Sequence, residues 1–277
     1  LVGSEMCIRD RPKGVYQTLY ATYDQISTVI ADNRVAGVSL TGSERAGAII
    51  AEQAGKALKK AVLELGGSDP YIILDTDNVK EAAANAWATR MYNTGQACDS
   101  NKRMIVMDDI YDEFVAELEA LASKMTPGSY TSDDETVFQP LSSRSAAERL
   151  AGQLEDVKNA GGNIRVGGEL SDKGAYISPA VVTDIPRGSD VYYEEFFGPI
   201  AVVYKVSSDE EALELANDSQ FGLGGSVFSQ DKERAEKVGS KLEVGMAKIN
   251  THAAEGESIP FGGVKRSGYG RELGPVG

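Results

Sequence analysis

The chain has 277 residues, of which 42% are hydrophobic and 25% are charged, as in an ordinary globular protein with a sizeable core. Its 28 basic and 42 acidic residues give a net charge of −14, which argues against a nucleic acid or an anionic membrane as the partner, because both would repel the chain. Two cysteines and a single histidine argue against a disulfide framework, a structural zinc site and a Ser-His-Asp triad, so we predict no metal.

The sequence contains no apolar run of the roughly 18 to 20 residues that spans a bilayer. Its first residues lack the basic and apolar regions of a signal peptide, and we therefore expect a cytoplasmic protein.

Residues 1–11 (LVGSEMCIRDR) do not resemble part of a fold, and MCIRD resembles a translated sequencing adapter. We exclude them, together with Cys7, although a genuine disordered leader is the alternative. The chain stops abruptly after RELGPVG, and we expect both ends to be truncated.

From Pro12 onward, short apolar runs alternate with longer amphipathic or alanine-rich segments. The short runs predict strands and the longer segments predict helices. The predicted strands are 14–20, 37–40, 61–65, 71–74, 103–107, 163–167, 177–182, 200–205, 224–228 and 245–250. The predicted helices are 23–32, 46–58, 78–92, 109–123, 143–160, 208–217 and 231–241. This alternation predicts an α/β fold with a mostly parallel sheet covered by helices, and the GGSDP break at 66–70 predicts a domain boundary.

The turn TGSERAG, residues 41–47, follows a predicted strand and opens a helix. Gly42 allows close backbone approach, and the free N–H groups of a helix start, together with the Ser43 hydroxyl, can hold a phosphate. Many turns between a strand and a helix look the same, and this one is not a GxGxxG fingerprint. Phosphate binding and an ordinary turn both stay open.

Glu64 ends an apolar strand and precedes two glycines in LELGGSDP. Burial at this position would disfavour the charged form of the carboxylate, which makes Glu64 a candidate general base. A glutamate at a strand end that simply reaches water is the alternative.

Cys98 lies in NTGQACDSNKR, a Gly-containing loop between a helix and a strand. Backbone donors in such a loop could stabilise a thiolate or an oxyanion. The alternative is a small buried side chain, as most free cysteines are, although the polar neighbours Gln96, Asp99 and Ser100 disfavour burial.

Two later segments could also form part of a site. YEEFFGPI, residues 193–200, offers either carboxylates beside a stacking surface or solvated acids beside a core anchor. PFGGVKRSGYGRELG, residues 260–274, is a Gly-rich basic loop that could bind an anion or merely cross the surface.

Taken in order, these five segments resemble the NAD(P)-dependent aldehyde dehydrogenase superfamily, and the resemblance covers nearly all of the chain from Pro12. In that family a glutamate in E-L-G-G precedes the cysteine of G-Q-x-C by 34 residues, which is the separation of Glu64 and Cys98 here. The family motifs E-E-x-F-G-P and P-F-G-G…G-R-E are also present. LELGGSDP, SLTGSERAG and SGYGRELGP look most similar to bacterial succinate-semialdehyde dehydrogenases.

The resemblance implies that Cys98 attacks the aldehyde, that hydride passes to NAD or NADP, and that Glu64 activates water to hydrolyse the resulting thioester. The backbone N–H of Cys98 would be one oxyanion donor. Gly42 and Ser43 match the family's pyrophosphate-binding turn. The residues that match positions beside the nicotinamide or its ribose are Leu65, Gly66, Glu195 and Phe197, and Phe261 matches the substrate tunnel.

The resemblance also implies the domain organisation of an aldehyde dehydrogenase-like fold, with part of a Rossmann-type cofactor domain and an α/β catalytic domain. We assign 12–66 to the C-terminal part of the cofactor domain, 67–266 to the catalytic domain, and 267–277 to a truncated segment that returns toward the cofactor domain. The parent would be a homodimer or homotetramer that acts on a small aldehyde. This chain alone would be inactive, since the family's oxyanion asparagine and adenosine-binding residues would precede Pro12. For the same reason NAD and NADP both stay open, as does the aldehyde.

Asp99 departs from the family pattern, which has a small or apolar residue after the cysteine. An adjacent anion disfavours a thiolate.

Two rival functions stay open: a catalytically incompetent fragment or non-catalytic binding homologue, and a CoA-acylating dehydrogenase. Glu64 argues against the non-catalytic homologue, because an abandoned site has no reason to keep it together with Cys98. It also argues against the acylating class, which generally lacks this glutamate.

Overall fold

The computed structural model describes residues 12–129, 131–132, 134–252 and 258–275. The segment 1–11, with Cys7, therefore lies outside the described residues. In the described part strands and helices alternate along the chain, and the predicted α/β class is confirmed.

Polar side chains mark where several helices begin. Ser43, Asn78 and Ser208 each accept a hydrogen bond from a backbone N–H in the first turn that follows. The α-helices of the described residues are α1 (Tyr23–Ala31), α2 (Glu44–Lys56), α3 (Val79–Met91), α4 (Asp108–Ala122), α5 (Arg144–Ala160), α6 (Asp209–Asn217) and α7 (Lys232–Gly239). Two 3-10 helices span Tyr92–Gly95 and Asp190–Tyr193.

The strands of the described residues are short, and most of the longer ones are buried. They are β1 (Gly37–Thr41), β2 (Lys60–Glu64), β3 (Pro70–Ile73), β4 (Arg103–Met107), β5 (Thr126–Pro127), β6 (Val137–Phe138), β7 (Asn163–Val166), β8 (Ala180–Thr183), β9 (Ile200–Val206), β10 (Phe221–Gly222), β11 (Gly224–Phe228), β12 (Met246–Ile249), β13 (Val264–Lys265) and β14 (Gly268–Tyr269).

The larger sheet has seven strands in the order β12-β11-β3-β4-β9-β8-β7. All neighbours are parallel except β7 and β8. Alternate residues of β3 point to opposite faces: Tyr71 and Ile73 pack against α3 and α4, whereas Ile72 packs against α6 and α7. Helices therefore cover both faces, which explains why the strands are continuous apolar runs rather than alternating ones.

A smaller sheet, in the order β1-β2-β14, holds the other strands that matter for the site. β1 and β2 are parallel, and β14 pairs antiparallel with β2. Glu64, the last residue of β2, lies opposite Thr41 on one side and Gly268 on the other. The C-terminal segment thus returns to the sheet that contains Glu64.

The strand predicted at 14–20 is wrong. These residues are exposed, and none of them lies in a strand. A strand needs a neighbour to accept and donate its ladder hydrogen bonds, and no strand in the described ranges pairs with this segment. Among the described residues, no helix is long and apolar enough to cross a membrane.

A left-handed stretch joins α3 to the loop of Cys98. Asn93, Thr94 and Gly95 have φ values of 49°, 55° and 71°. A Cβ added to Gly95 would overlap the carbonyl oxygen of Gly198, so only glycine allows the two loops to approach this closely.

Gly95→Ala is expected to lower the free energy of unfolding by about 1–3 kcal/mol, because it adds a backbone clash to a positive φ. Gly152→Ala is the matched control: Gly152 lies within α5, and a Cβ there meets nothing within 4 Å. The control should stabilise the protein by about 0.5–1 kcal/mol. Urea unfolding of both variants measures this, and equal effects would contradict the packing described for Gly95.

Candidate active site

Glu64 is buried at the end of β2, with 2% of its surface exposed. Neither carboxylate oxygen has a hydrogen-bond partner among the described residues. The pKa of Glu64 is raised to about 7, mainly by burial and also by the charge of Glu272, while the charge of Arg271 opposes the rise. A carboxyl group with this pKa can take up and release a proton near neutral pH, which is what a general base requires.

Cys98 lies in the turn between the first 3-10 helix and β4, where it is half-buried. Burial raises the pKa of the Cys98 thiol, and the charges of Asp99 and Asp69 raise it too. The charge of Lys102 and a hydrogen bond from the backbone of Asp99 lower it. The structure therefore shows the effect that the sequence predicted for Asp99: its charge disfavours the thiolate form of Cys98.

Arg90, on α3, holds the loop of Cys98 against the segment that contains Glu195. Its guanidinium is fully buried and donates to five oxygens. The acceptors are the carbonyl oxygens of Gly95, Phe196, Gly198 and Ile200 and the hydroxyl of Ser100, at 2.6 to 3.2 Å. Burial lowers the pKa of Arg90 to about 9, and the charge of Glu195 opposes this.

The two adjacent glutamates point in different directions. Glu194 accepts a hydrogen bond of 2.7 Å from Gln153 on α5. Glu195 instead accepts one of 3.0 Å from the backbone N–H of Gly67 and lies 3.1 Å from the ammonium of Lys102. A Cβ on Gly66 would lie 2.5 Å from the second carboxylate oxygen of Glu195. Glu195 therefore lies against the two glycines that follow Glu64 and Leu65.

Close approaches at glycine connect the predicted segments with one another. A Cβ on Gly67 would overlap the carbonyl oxygen of Cys98, and one on Gly262 would lie 2.8 Å from Oε1 of Glu64. Gly42 donates its N–H to the carbonyl oxygen of Glu64 at 3.0 Å. The structure thus brings the turn before α2, the end of β2, the Cys98 loop and the PFGG loop together.

The remaining predicted residues lie around this centre. Ser43 caps α2 by accepting from the N–H of Ala46, which leaves its hydroxyl hydrogen able to donate. Leu65 is buried against Gly47, whose added Cβ would lie 2.5 Å from the leucine. Phe197 has 45% of its surface exposed.

Phe261 is half-buried and sits one residue before the glycine that approaches Glu64. Its backbone forms a two-way bridge with Glu272, with N···O distances of 2.7 and 2.8 Å. The bridge fixes the PFGG loop beside the acid whose charge raises the pKa of Glu64.

Arg90 and Lys102 belong to this arrangement but were missed in the sequence. The signal for Arg90 was available, because the buried residues of α3 are Ala83, Ala86, Trp87 and Arg90, which is the spacing of one helix face. Nothing in NKR at 101–103 distinguishes Lys102 from a lysine at the surface.

Three comparisons bear on this arrangement. Residues 5–277 match the model of the aldehyde dehydrogenase family. The NADP(+) succinate-semialdehyde dehydrogenase of Deinococcus radiodurans is 48% identical over 267 residues, which are 96% of this chain and 56% of that protein. The NAD(P)+ succinate semialdehyde dehydrogenase Sad of Escherichia coli K12 is 41% identical over 96% of this chain and 58% of its own length.

A solved structure is also similar throughout the chain. The succinic semialdehyde dehydrogenase of Streptococcus pyogenes, in complex with NADP+, superposes with a TM-score of 0.94 at 44% identity. The match covers 100% of this chain and 61% of that protein. This chain therefore spans little more than half the length of the proteins that it resembles.

Glu64→Gln is expected to stabilise the protein at alkaline pH. The pKa of Glu64 rises from 4.5 to about 7 on folding, so the folded state holds the proton more tightly, and stability falls as pH rises between these values. Above pH 7 the variant should exceed the unchanged chain by about 1–3 kcal/mol, and its unfolding free energy should depend less on pH. Urea titrations from pH 5 to 8 measure the free energy of unfolding of both proteins.

Glu113→Gln, at an exposed position of α4, is the control. An equal gain in stability in that variant would contradict the raised pKa assigned to Glu64.

Proposed function

Because the chain belongs to the aldehyde dehydrogenase family, we propose that the protein containing it oxidises an aldehyde to the carboxylic acid. Cys98 is the nucleophile and Glu64 is the general base in this proposal. The observation that carries it is the buried, unpartnered carboxylate of Glu64, whose pKa is about 7. A carboxylate without partners costs stability, which is expected where a base needs to bind a water molecule instead.

The residues present fit a dinucleotide cofactor, NAD or NADP. A Cβ on Gly42 would meet its nearest neighbours only at ordinary van der Waals distance, 3.9 Å, and the first turn of α2 offers backbone N–H groups of the kind that bind a phosphate. Gly66 leaves room for the carboxylate of Glu195 beside it. We assign Gly42 and Ser43 to the pyrophosphate, and we assign Leu65, Gly66, Glu195 and Phe197 to the nicotinamide and its ribose.

The chemistry divides between the sulfur and the carboxylate. The Cys98 thiolate attacks the aldehyde carbon to give a thiohemiacetal, while its backbone N–H donates to the developing oxyanion. A nicotinamide bound beside Leu65, Gly66 and Glu195 would supply the acceptor for the hydride that leaves this carbon. Cys98 then holds the acyl group as a thioester. Glu64 then removes a proton from water, which attacks the thioester. The carbon–sulfur bond breaks, the carboxylic acid leaves, the Cys98 thiolate is restored, and Glu64 returns its proton to the solvent.

The substrate, assembly and location are further parts of the proposal. Relatives named as succinate-semialdehyde dehydrogenases are 48% and 41% identical to this chain, which supports succinate semialdehyde as the aldehyde. Phe261 would line the path by which the aldehyde reaches Cys98.

We assign 12–66 to the cofactor domain, 67–266 to the catalytic domain and 267–277 to the return segment, a division that follows the smaller and larger sheets. The protein would be a cytoplasmic homodimer or homotetramer.

The test separates the two proposed roles by rapid mixing with aldehyde and NADP. In the protein that contains this chain, Glu64→Gln should retain a single-turnover burst of reduced cofactor but lower the steady-state rate about 10²- to 10⁴-fold. Cys98→Ala should remove the burst as well. A Glu64→Gln variant with normal turnover, or a Cys98→Ala variant with a burst, would refute these roles.

The same assay tests the rivals and the substrate. Butanal has the same chain length as succinate semialdehyde without its carboxylate, and it should react with a lower kcat/KM. Turnover that requires coenzyme A would favour the acylating class, and an absence of any burst in the unchanged protein would favour a non-catalytic homologue.

A further inference from the structure

Lys102 is a buried lysine just before β4, and only 1% of its side chain is exposed. Its ammonium donates to the carbonyl oxygens of Ala97 and Cys98, each at 2.8 Å. It also lies 3.1 Å from Oε1 of Glu195. One cation thus binds both the loop that contains Cys98 and the carboxylate that lies against Gly67.

We propose that Lys102 is a positioning residue, which holds the Cys98 loop and Glu195 in one fixed arrangement through its three contacts. The inference deepens the proposed function and rests on it for the roles of Cys98 and Glu195. The contacts themselves do not depend on those roles.

The first consequence concerns the peptide bond between Cys98 and Asp99. The Cys98 carbonyl and the Asp99 N–H belong to one planar trans unit and point in opposite directions. Lys102 holds the carbonyl end, while the Asp99 backbone hydrogen-bonds to Cys98 and lowers the pKa of the thiol. Because the peptide unit is planar, the lysine that holds its carbonyl end also restrains the orientation of this N–H.

The second consequence is electrostatic. Burial raises the pKa of Cys98, as do the charges of Asp99 and Asp69, whereas the charge of Lys102 lowers it. Of these three charged groups, Lys102 is thus the one that favours the thiolate. Removal of this charge should therefore make the thiol harder to ionise, both directly and through the released peptide.

The third consequence concerns Glu195. Oε1 accepts the Gly67 N–H and faces the Lys102 ammonium, so both contacts fix the rotation of the carboxylate. Oε2 is then directed toward Gly66, the glycine assigned above to the nicotinamide side. The same ammonium thereby orients the thiol loop and this carboxylate relative to each other.

The test measures the rate at which iodoacetamide alkylates Cys98 as a function of pH, by mass spectrometry of the Cys98 peptide so that Cys7 does not contribute. Lys102→Met removes the charge and the three contacts while keeping the length of the side chain. We expect the midpoint of the profile to rise by about one pH unit, which corresponds to a rate about tenfold lower near neutral pH.

Two variants calibrate the experiment. Lys248→Met is the matched control, because Lys248 is also a buried lysine whose charge acts on Asp69, but its ammonium donates to the carbonyl oxygen of His252. It should leave the midpoint unchanged. Asp99→Asn removes an anion that raises the pKa of Cys98 and should lower the midpoint.

An unchanged midpoint in Lys102→Met, or an equal shift in Lys248→Met, would overturn the proposal. Circular dichroism checks folding, and Lys102→Gln replaces Lys102→Met if the latter unfolds. Failure of both neutral variants to fold would show a structural role only and would also overturn it. Because the assay uses neither aldehyde nor cofactor, a shifted midpoint in a protein without turnover would sustain the positioning role while refuting the proposed function.

Discussion

Buried backbone carbonyl oxygens need hydrogen-bond donors, and the buried cations Arg90 and Lys102 supply donors to the loops of the site. Arg90 binds the carbonyl oxygens of Gly95, Phe196, Gly198 and Ile200, and Lys102 binds those of Ala97 and Cys98. These oxygens belong to the loop before β4 and to the segment that leads into β9, up to its first residue. The cations therefore join two loops that are more than 90 residues apart in sequence, and the position of Cys98 relative to Glu195 depends on them.

The features of Glu64 and Cys98 that serve the proposed chemistry do not stabilise the fold. Glu64 is buried without a hydrogen-bond partner among the described residues, and the thiol of Cys98 has a raised pKa. Neither the unpartnered carboxylate nor the raised thiol pKa contributes to the stability of the fold. Close packing contributes instead, because Gly66, Gly67 and Gly262 let neighbouring groups approach where a Cβ would clash. The site is therefore held by close backbone packing and buried cations rather than by contacts of the reactive groups themselves.

Much of this arrangement follows from sequence patterns. Apolar runs and glycine breaks located the strands of the larger sheet because both of its faces are buried, and strong burial leaves a strong pattern. The segment 14–20 has the composition of a strand, but no strand among the residues that the structure describes pairs with it. Pairing is a tertiary property that a local pattern does not contain. The resemblance supplied roles for Glu64, Cys98 and Glu195. The role of Lys102 could not be predicted from the sequence, since its burial depends on loops that are distant in sequence.

In the proposed mechanism, Cys98 carries the acyl group and Glu64 activates the water that releases it. The most direct measurement is peptide mass spectrometry of the Glu64→Gln protein after incubation with succinate semialdehyde and NADP, followed by an acid quench that preserves thioesters. We expect a succinyl adduct on the Cys98 peptide that disappears when NADP is omitted, and much less adduct in the protein that retains Glu64. An adduct located elsewhere, or equal adduct with and without Glu64, would contradict this mechanism.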